Sequence, residues 1–233
     1  YKKRGDHMPK IVLNFFWILL ALLLIIGFIV FTANKNFNKK VDSEVKRLFL
    51  NNKFNRESKI DKSKVEKLPI SVQKWLKNSG VLRNEKIGTV RLKQKAEMRL
   101  DKDKSWMQVN AEQYFITNEP AFIWKARIKM APFIHIMGRD KYYEGKGEML
   151  IKLMSLIKVV DSRGKEIDQG TLLRYLGESV WFPSFALSEY ISWEKISEYK
   201  ARATMSYGGI TASGILSFNQ NYYQINFSVQ RYM

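Results

Sequence analysis

The chain has 233 residues, of which 45% are hydrophobic and 27% charged, a balance typical of a globular protein rather than a disordered one. It contains no cysteine and only two histidines, His7 and His135, which excludes disulfides, thiolate nucleophiles, cysteine-bound zinc and any multi-histidine metal site. We therefore predict no metal site and no cofactor. The formal net charge of +18 favours anionic partners, either nucleic acid or the headgroups of a bilayer.

Residues 11–33 form an uncharged apolar run in which Asn14 is the only strongly polar side chain. As a helix this run is roughly 34 Å long, enough to cross a hydrocarbon core of about 30 Å. We predict a single transmembrane helix that anchors the protein in a lipid bilayer. The alternatives are a buried soluble helix, which rarely stays apolar on every face, and a cleaved signal peptide, which has a shorter apolar region. Basic residues flank both ends, so the side of the membrane that holds the soluble part stays open.

The segments on either side of this run are predicted to be a short N-terminal flank and a polar tether. Residues 1–10 are an N-terminal flank, and we hypothesise that Met8 is the true start, so that residues 1–7 are not translated. Residues 34–67 are polar and rich in lysine, which predicts a basic tether near the bilayer surface or a merely soluble linker. Within it, residues 41–52 fit a short amphipathic helix whose apolar face holds Val41, Val45, Leu48 and Phe49.

Residues 68–233 predict a β-rich domain. Pro69 and Gly80 limit a short helix whose buried side comprises Ile70, Val72, Trp75 and Leu76. Alternating apolar and polar residues then predict strands over 89–100, 106–117, 121–130, 139–160 (a hairpin), 197–206, 209–218 and 222–231. We predict an α+β fold in which a curved, half-barrel-like antiparallel sheet is covered on its concave face by one helix. The last strand pattern reaches the final residue, so we expect the domain to be truncated at its C-terminus.

The covering helix is predicted within residues 166–183, the only long helical pattern after residue 80. Its apolar stripe contains Leu172, Leu173, Leu176 and Val180. Asp168 fits an N-cap, because its side chain can accept hydrogen bonds from backbone N–H groups of the first turn. Arg174 and Glu178 are four residues apart and can pair across one turn.

Several short motifs of the domain are together specific enough to indicate a family. They are Leu68-Pro69, Ser79-Gly80, Met98-Arg99-Leu100, Trp106, Ala111-Glu-Gln-Tyr-Phe115, Met130-Ala-Pro132, Arg139-Asp-Lys-Tyr142, Glu166-Ile-Asp-Gln-Gly170, Leu173-Arg-Tyr-Leu176 and Trp181-Phe-Pro183. With these motifs, residues 68–233 resemble a bacterial family of domains of unknown function. The resemblance implies kinship without an activity. In layout alone, the order of helix, sheet and inserted helix is similar to the periplasmic lipoprotein carriers of the LolA/LolB type, which bind acyl chains between sheet and helices.

Two classes of function fit these observations. The first is a membrane-anchored binding protein that holds a lipid or another apolar ligand in a cavity of the curved sheet, lined by aromatic side chains. The ligand-binding candidates are Glu112, Tyr114, Trp124, Arg139, Tyr142, Glu166, Gln169, Tyr175 and Trp181.

The alternative is a carboxylate-based enzyme. Its acid, base or metal-binding groups come from Glu112, Asp140, Glu166, Asp168 and Glu178, and each of these carboxylates also has an ordinary structural interpretation. His135 is the sole neutral-pH base of the domain, and the chain has no Gly-x-Ser-x-Gly nucleophile elbow, so the enzyme is the less favoured class. Nucleic-acid binding is not favoured either, since the basic residues are spread without a recognition motif.

Overall fold

The computed structural model describes residues 10–52, 60–83 and 87–229. The predictions for the N-terminal start, for residues 53–59 of the tether and for the last residues of the chain lie outside these ranges. The helices are α1 Lys10–Leu50, α2 Lys62–Glu66, α3 Ile70–Asn78 and α4 Lys165–Glu178, with 3-10 turns at Val81–Arg83, Ser179–Trp181 and Pro183–Leu187. The strands are β1 Thr89–Met98, β2 Met107–Ile116, β3 Ala121–Ala131, β4 Ile134–Tyr143, β5 Lys146–Leu153, β6 Ile157–Arg163, β7 Ile191–Ser197, β8 Lys200–Tyr207, β9 Ile210–Phe218 and β10 Gln224–Ser228.

Helix α1 is continuous from the apolar run into the segment predicted as a tether. Residues 34–50 contain no glycine or proline, so nothing in the backbone ends the helix at Ala33. Phe37, Val41 and Leu48 recur at helical spacing and are buried against the first sheet. The tether prediction is therefore corrected for residues 34–50, while the predicted amphipathic face of residues 41–50 packs as expected.

The first sheet has six antiparallel strands in the order β1-β2-β3-β4-β5-β6, each paired with its neighbours along the chain. Both of its faces are covered near the middle of the sheet. On one face, hereafter the α1 face, Tyr114, Ile123, Met137 and Leu150 pack with residues 34–50, the basic half of α1. On the other, the α4 face, Phe115, Phe122 and Tyr142 are fully buried in the main core.

Helix α4 lies between the first sheet and a second antiparallel sheet, whose strand order is β10-β9-β8-β7. Leu172, Leu176 and Tyr175 fill the core from the helix, and the second sheet contributes three alanines together with larger side chains: Ala201, Ala203, Met205, Ala212, Leu216 and Phe218. Small residues on β8 and β9 leave room for the aromatic residues of α4 and of the turns that follow it.

Two glycine turns bring the sheets into direct contact. Gly145, between β4 and β5, and Gly208, between β8 and β9, both have positive φ angles, of 76° and 60°. A Cβ added at Gly208 would lie 2.5 Å from the Cα of Gly145, so the backbones meet at a distance that only glycine permits.

The α+β class is confirmed, with the strands divided between two antiparallel sheets where the sequence predicted one curved sheet. The short helix after Pro69 is confirmed, although Ile70 is exposed rather than buried. The 139–160 hairpin is larger than predicted because β4 already begins at Ile134, and β7 lies in a segment with no predicted strand. Helix α4 ends at Glu178, and the rest of the predicted segment forms 3-10 turns.

Candidate functional site

A polar cluster lies on the α4 face of the first sheet, centred on Arg174. The guanidinium is 2.6 Å from the Asp140 carboxylate and 2.9 Å from that of Glu178, which confirms the predicted pairing across one turn of α4. Its plane lies 4.9 Å from the ring centroid of Trp124 and 5.2 Å from that of Phe122. Arginine between an aromatic surface and two carboxylates is held in one orientation by both kinds of contact.

Two glutamines join this cluster to Trp124. The fully buried Gln113 donates to Glu178 at 2.5 Å and accepts from Gln94 at 3.3 Å. The Gln94 carbonyl oxygen accepts from the indole N–H of Trp124 at 2.9 Å. Burial raises the pKa of Asp140, and the neighbouring Arg174 only partly offsets this.

Beyond Trp124 the α4 face becomes apolar towards the end of the sheet. This apolar strip consists of Met98, Met107, Val109, Ala111, Ala126, Ile128 and Ile136. The strand register places Ala111 opposite Ala126 and Val109 opposite Ile128, so the strip is continuous across β2 and β3. In the described part of the chain, its cluster has members from β1 to β4 and none from a helix or the second sheet. Val109, Ala111, Ala126 and Ile128 of the strip are buried, whereas Met98, Met107 and Ile136 are partly exposed. The strip therefore packs apart from α4 and reaches the surface at these three residues.

The α1 face carries a separate network of charges. Arg139 lies 2.9 Å from Glu148 and 3.5 Å from Glu44 of α1, and its side chain is only 3% exposed. Lys141 lies 2.9 Å from Glu148 and 4.0 Å from Glu44. Burial on its own raises the pKa of Glu148, but hydrogen bonds from Lys141 and Arg139 outweigh it and lower the pKa to about 2. The network holds the basic half of α1 on the sheet.

A smaller pair on the same face joins β1 and β2. Glu112 lies 3.0 Å from Arg91 and accepts a hydrogen bond from the Tyr114 hydroxyl. Burial, followed by this hydrogen bond, raises the pKa of Tyr114 to about 12. A tyrosine with a raised pKa stays protonated at neutral pH, so this pair supplies packing and a hydrogen bond rather than a base.

The nine candidates from the sequence do not form one site. Glu112, Tyr114 and Arg139 lie on the α1 face, whereas Trp124, Tyr142 and Tyr175 lie on the α4 face or in the core. Glu166 and Gln169 are exposed on α4, and Trp181 lies in the following turn with its ring 6.1 Å from that of Phe115. Of these candidates, Trp124 contacts the Arg174 cluster, through the Arg174 guanidinium and a hydrogen bond to Gln94.

The candidates have structural partners to different degrees. The Tyr175 hydroxyl donates to the Ile116 carbonyl at 2.7 Å, and Gln169 donates to that of Thr211 at 3.1 Å. The Tyr142 hydroxyl is buried with no hydrogen-bond partner among the described atoms. The capping prediction for Asp168 is wrong, because the N-cap is Gly164 and the carboxylate instead accepts from the Gly147 N–H of β5 at 2.7 Å.

Sequence reasoning left the centre of the polar cluster out of the candidate site. Gln94 and Gln113 both occupy positions that alternation assigns to the buried face of their strands. A polar side chain at such a position needs a partner, since burying an unpaired amide is costly. This signal was present in the sequence, but the partners Asp140 and Arg174 come from distant segments and meet only in the fold.

Other sites of the described chain are less developed. No group of three metal-ligating side chains occurs within residues 10–52, 60–83 and 87–229. One open depression of about 190 Å³ lies between α1 and the sheet, beside Leu48 and Tyr143. Another of about 170 Å³ lies beside Phe133 and His135. Both are smaller than the roughly 300–1,000 Å³ of ordinary small-molecule pockets.

These features define an α+β domain attached to a helix that is long and apolar enough to span a membrane. The chain belongs to a family of unknown function, DUF6544, which matches residues 58–233. No match was found among curated proteins or among solved structures. The predicted kinship with a family of domains of unknown function is thus confirmed.

Proposed function

We propose that this protein is a single-pass, membrane-anchored binding protein that holds a lipid or another apolar ligand on the apolar strip. The observation that carries the proposal is the combination of an apolar strip, partly exposed at Met98, Met107 and Ile136, with the polar Arg174 cluster at its inner end. Binding sites for apolar ligands have this composition, with a few fixed polar groups beside a mostly apolar surface.

Anchoring is supported by the exposure of α1. Large apolar side chains from Ile11 to Phe31 are exposed, and a surface of that kind is stable only when a bilayer or a partner covers it. The same helix is fixed to the domain at Phe37, Val41 and Glu44. An uncleaved anchor uses both halves of this continuous helix, one in the bilayer and one on the sheet.

The polar cluster restricts the class of ligand. Asp140 and Glu178 already neutralise Arg174, so the cluster has no free cation for a phosphate headgroup. Gln94, Gln113 and the Trp124 indole supply neutral hydrogen-bonding groups instead. The ligand that fits has an acyl or prenyl chain and an uncharged end, such as a hydroxyl, ester or amide.

Photolabelling of the full chain in lipid nanodiscs tests the proposal. A diacylglycerol with a diazirine in its acyl chain should label Met98, Met107 or Ile136 in a saturable manner, and unlabelled diacylglycerol should compete. A phosphatidic acid with the same chains should label these residues less. Contact with bulk bilayer does not saturate, which separates a bound ligand from simple proximity to the membrane.

A matched pair of variants makes the test specific. Met98→Glu places a charge on the half-buried edge of the strip, and Ile225→Glu places one on exposed β10 of the second sheet. We expect the first to abolish saturable labelling and the second to leave it unchanged, with thermal unfolding confirming that both fold. Labelling that never saturates, or that survives Met98→Glu, would contradict the proposal.

A carboxylate-based enzyme is the second candidate, and the raised pKa of buried Asp140 is the observation that favours it. A carboxyl group with a raised pKa, opposite Trp124 on the neighbouring strand, has the character of a general acid. Asp140→Asn distinguishes the two functions when lipid esters are screened as substrates in the same nanodiscs. An enzyme loses turnover in this variant, whereas a binding protein shows no turnover in either form.

A further inference from the structure

Three hairpin turns of the first sheet leave it at the same end. Because β1 to β6 form an antiparallel meander, the β1–β2, β3–β4 and β5–β6 turns all lie at the same ends of the strands. We call this end of the sheet the tip end. Their residues are 99–106, 132–133 and 154–156. The β2–β3 and β4–β5 turns lie at the opposite end.

Helix α1 reaches the domain at this tip end. Asn34 lies 3.3 Å from the hydroxyl of Ser155 in the β5–β6 turn. At the opposite end, Asn51 donates to the Tyr143 hydroxyl at 3.0 Å and Asn52 donates to the Gly88 carbonyl at 3.2 Å. The apolar part of α1 precedes Asn34, so it extends away from the domain on the side where the three turns project.

The turns at this end expose large apolar side chains. They are Leu100, Trp106, Phe133, Ile134, Leu156 and Ile157. Phe133 is 95% exposed and has a φ angle of 63°, in the left-handed region that is unfavourable for an aromatic residue. Phenylalanine at this position therefore stabilises neither the core nor the backbone of the folded domain. Contact with another surface would explain it.

Basic residues surround these apolar side chains. Arg99, Lys102, Lys104, Lys129 and Lys158 lie in or beside the turns, with Glu97, Asp101, Asp103 and Asp161 as nearby acids. The guanidinium of Arg99 lies 4.9 Å from the Trp106 ring centroid. The open depression beside Phe133 is lined by Arg127, Lys129 and His135, and the Nε2 atom of His135 is buried there without a hydrogen-bond partner among the described atoms. Aromatic and basic side chains in this arrangement are typical of the interface of an anionic bilayer.

We propose that the tip end lies on the surface of the membrane that α1 crosses, with Phe133, Trp106 and Ile157 at the depth of the headgroups and Arg127 and Lys129 facing anionic phosphates. The bilayer is the occupant that the covalent geometry favours, because α1 leaves the domain beside the three turns. The inference rests on the proposed anchoring and is independent of the ligand on the apolar strip.

Spin labelling tests the proposal cleanly because the natural chain has no cysteine. Single variants Phe133→Cys, Asn118→Cys and Ile18→Cys carry a nitroxide in the full chain, reconstituted into nanodiscs of phosphatidylglycerol or phosphatidylcholine. Asn118 is exposed in the β2–β3 turn at the opposite end, and Ile18 is exposed in the apolar part of α1. Collisions with oxygen, which is concentrated in lipid, and with a water-soluble nickel complex report where each label lies.

We expect oxygen to dominate at position 18 and the nickel complex to dominate at position 118, with position 133 between them and less accessible to nickel than 118. Nickel access at 133 equal to that at 118, with 18 still in lipid, overturns the tip contact and leaves the anchoring intact. Shielding of 133 from both reagents indicates a protein partner or a second copy and also overturns it. A label at 18 in water overturns the anchoring, and the tip contact with it.

A charge-matched pair of double variants tests the role of the basic side chains. Arg127→Gln with Lys129→Gln removes two charges at the tip end, and Lys195→Gln with Lys200→Gln removes two exposed charges of the second sheet. In phosphatidylglycerol we expect the first pair to move the 133 label towards water and the second to have no effect. Equal shifts of the 133 label in both variants would show that only the net charge of the protein matters. That result would overturn the assignment of Arg127 and Lys129 to the membrane contact.

Discussion

The ion network beneath α1 allows a quantitative test of how the helix is held on the domain. The Glu44 carboxylate is 7% exposed and lies 3.5 Å from Arg139. In Arg139→Met it loses this partner and keeps only Lys141, at 4.0 Å. Glu148 is 22% exposed and keeps Lys141 at 2.9 Å, so the penalty falls mainly on Glu44. Removing one partner of a buried ion pair costs about 3–5 kcal/mol, and we expect a loss of about 3 kcal/mol in the free energy of unfolding.

Urea unfolding of the full chain in detergent micelles, followed by tryptophan fluorescence, measures this loss. Arg91→Met is the control, since Arg91 pairs with Glu112 on the same face but is 55% exposed, and we expect it to cost at most about 1 kcal/mol. Combining Arg139→Met with Glu44→Leu removes the stranded carboxylate and should recover about 1–2 kcal/mol. Equal losses in Arg139→Met and Arg91→Met, or strictly additive losses in the double variant, would refute the assignment of a buried network.

The same unfolding assay checks three further predictions. The pKa of Glu148, lowered from 4.5 to about 2, stabilises the fold above about pH 4.5. About 2 kcal/mol, after discounting for partial exposure, should be lost as the pH falls towards 2, and Glu148→Gln should flatten this dependence. Gly147→Ala places a Cβ 2.4 Å from a side-chain oxygen of α4 and should cost about 1–3 kcal/mol, whereas Gly170→Ala, with open space around it, should gain about 0.5–1 kcal/mol. Tyr142→Phe removes an unpartnered hydroxyl and should be neutral or stabilising, whereas Tyr175→Phe strands a carbonyl and should cost about 1–2 kcal/mol. A loss of stability in Tyr142→Phe as large as that in Tyr175→Phe would show that its hydroxyl has a partner in solution.

In the candidate site, local sequence patterns predict which face of a strand a side chain occupies, whereas its hydrogen-bond partner is known only from the fold. The alternation within residues 106–117 and 121–130 agrees with the structure, in which Phe115 and Phe122 lie on one face of the sheet and Lys125 on the other. It also placed Gln113 among buried neighbours without saying what satisfies its amide. Its partner, Glu178 of α4, lies in a segment whose position on the sheet depends on core packing with distant segments.

The sequence by itself determined the apolar helix, most strands and their faces, and the turns at Tyr207-Gly-Gly and Asn219-Gln-Asn. These features follow from the period of the apolar residues and from glycine or asparagine at turns, which are local properties. Only the tertiary structure decided that the strands form two sheets with α4 between them, and that α1 continues to Leu50. Both outcomes depend on burial between distant segments: Val41 of α1 is polar-flanked in sequence and becomes buried only because β2 to β5 present a second apolar face to it.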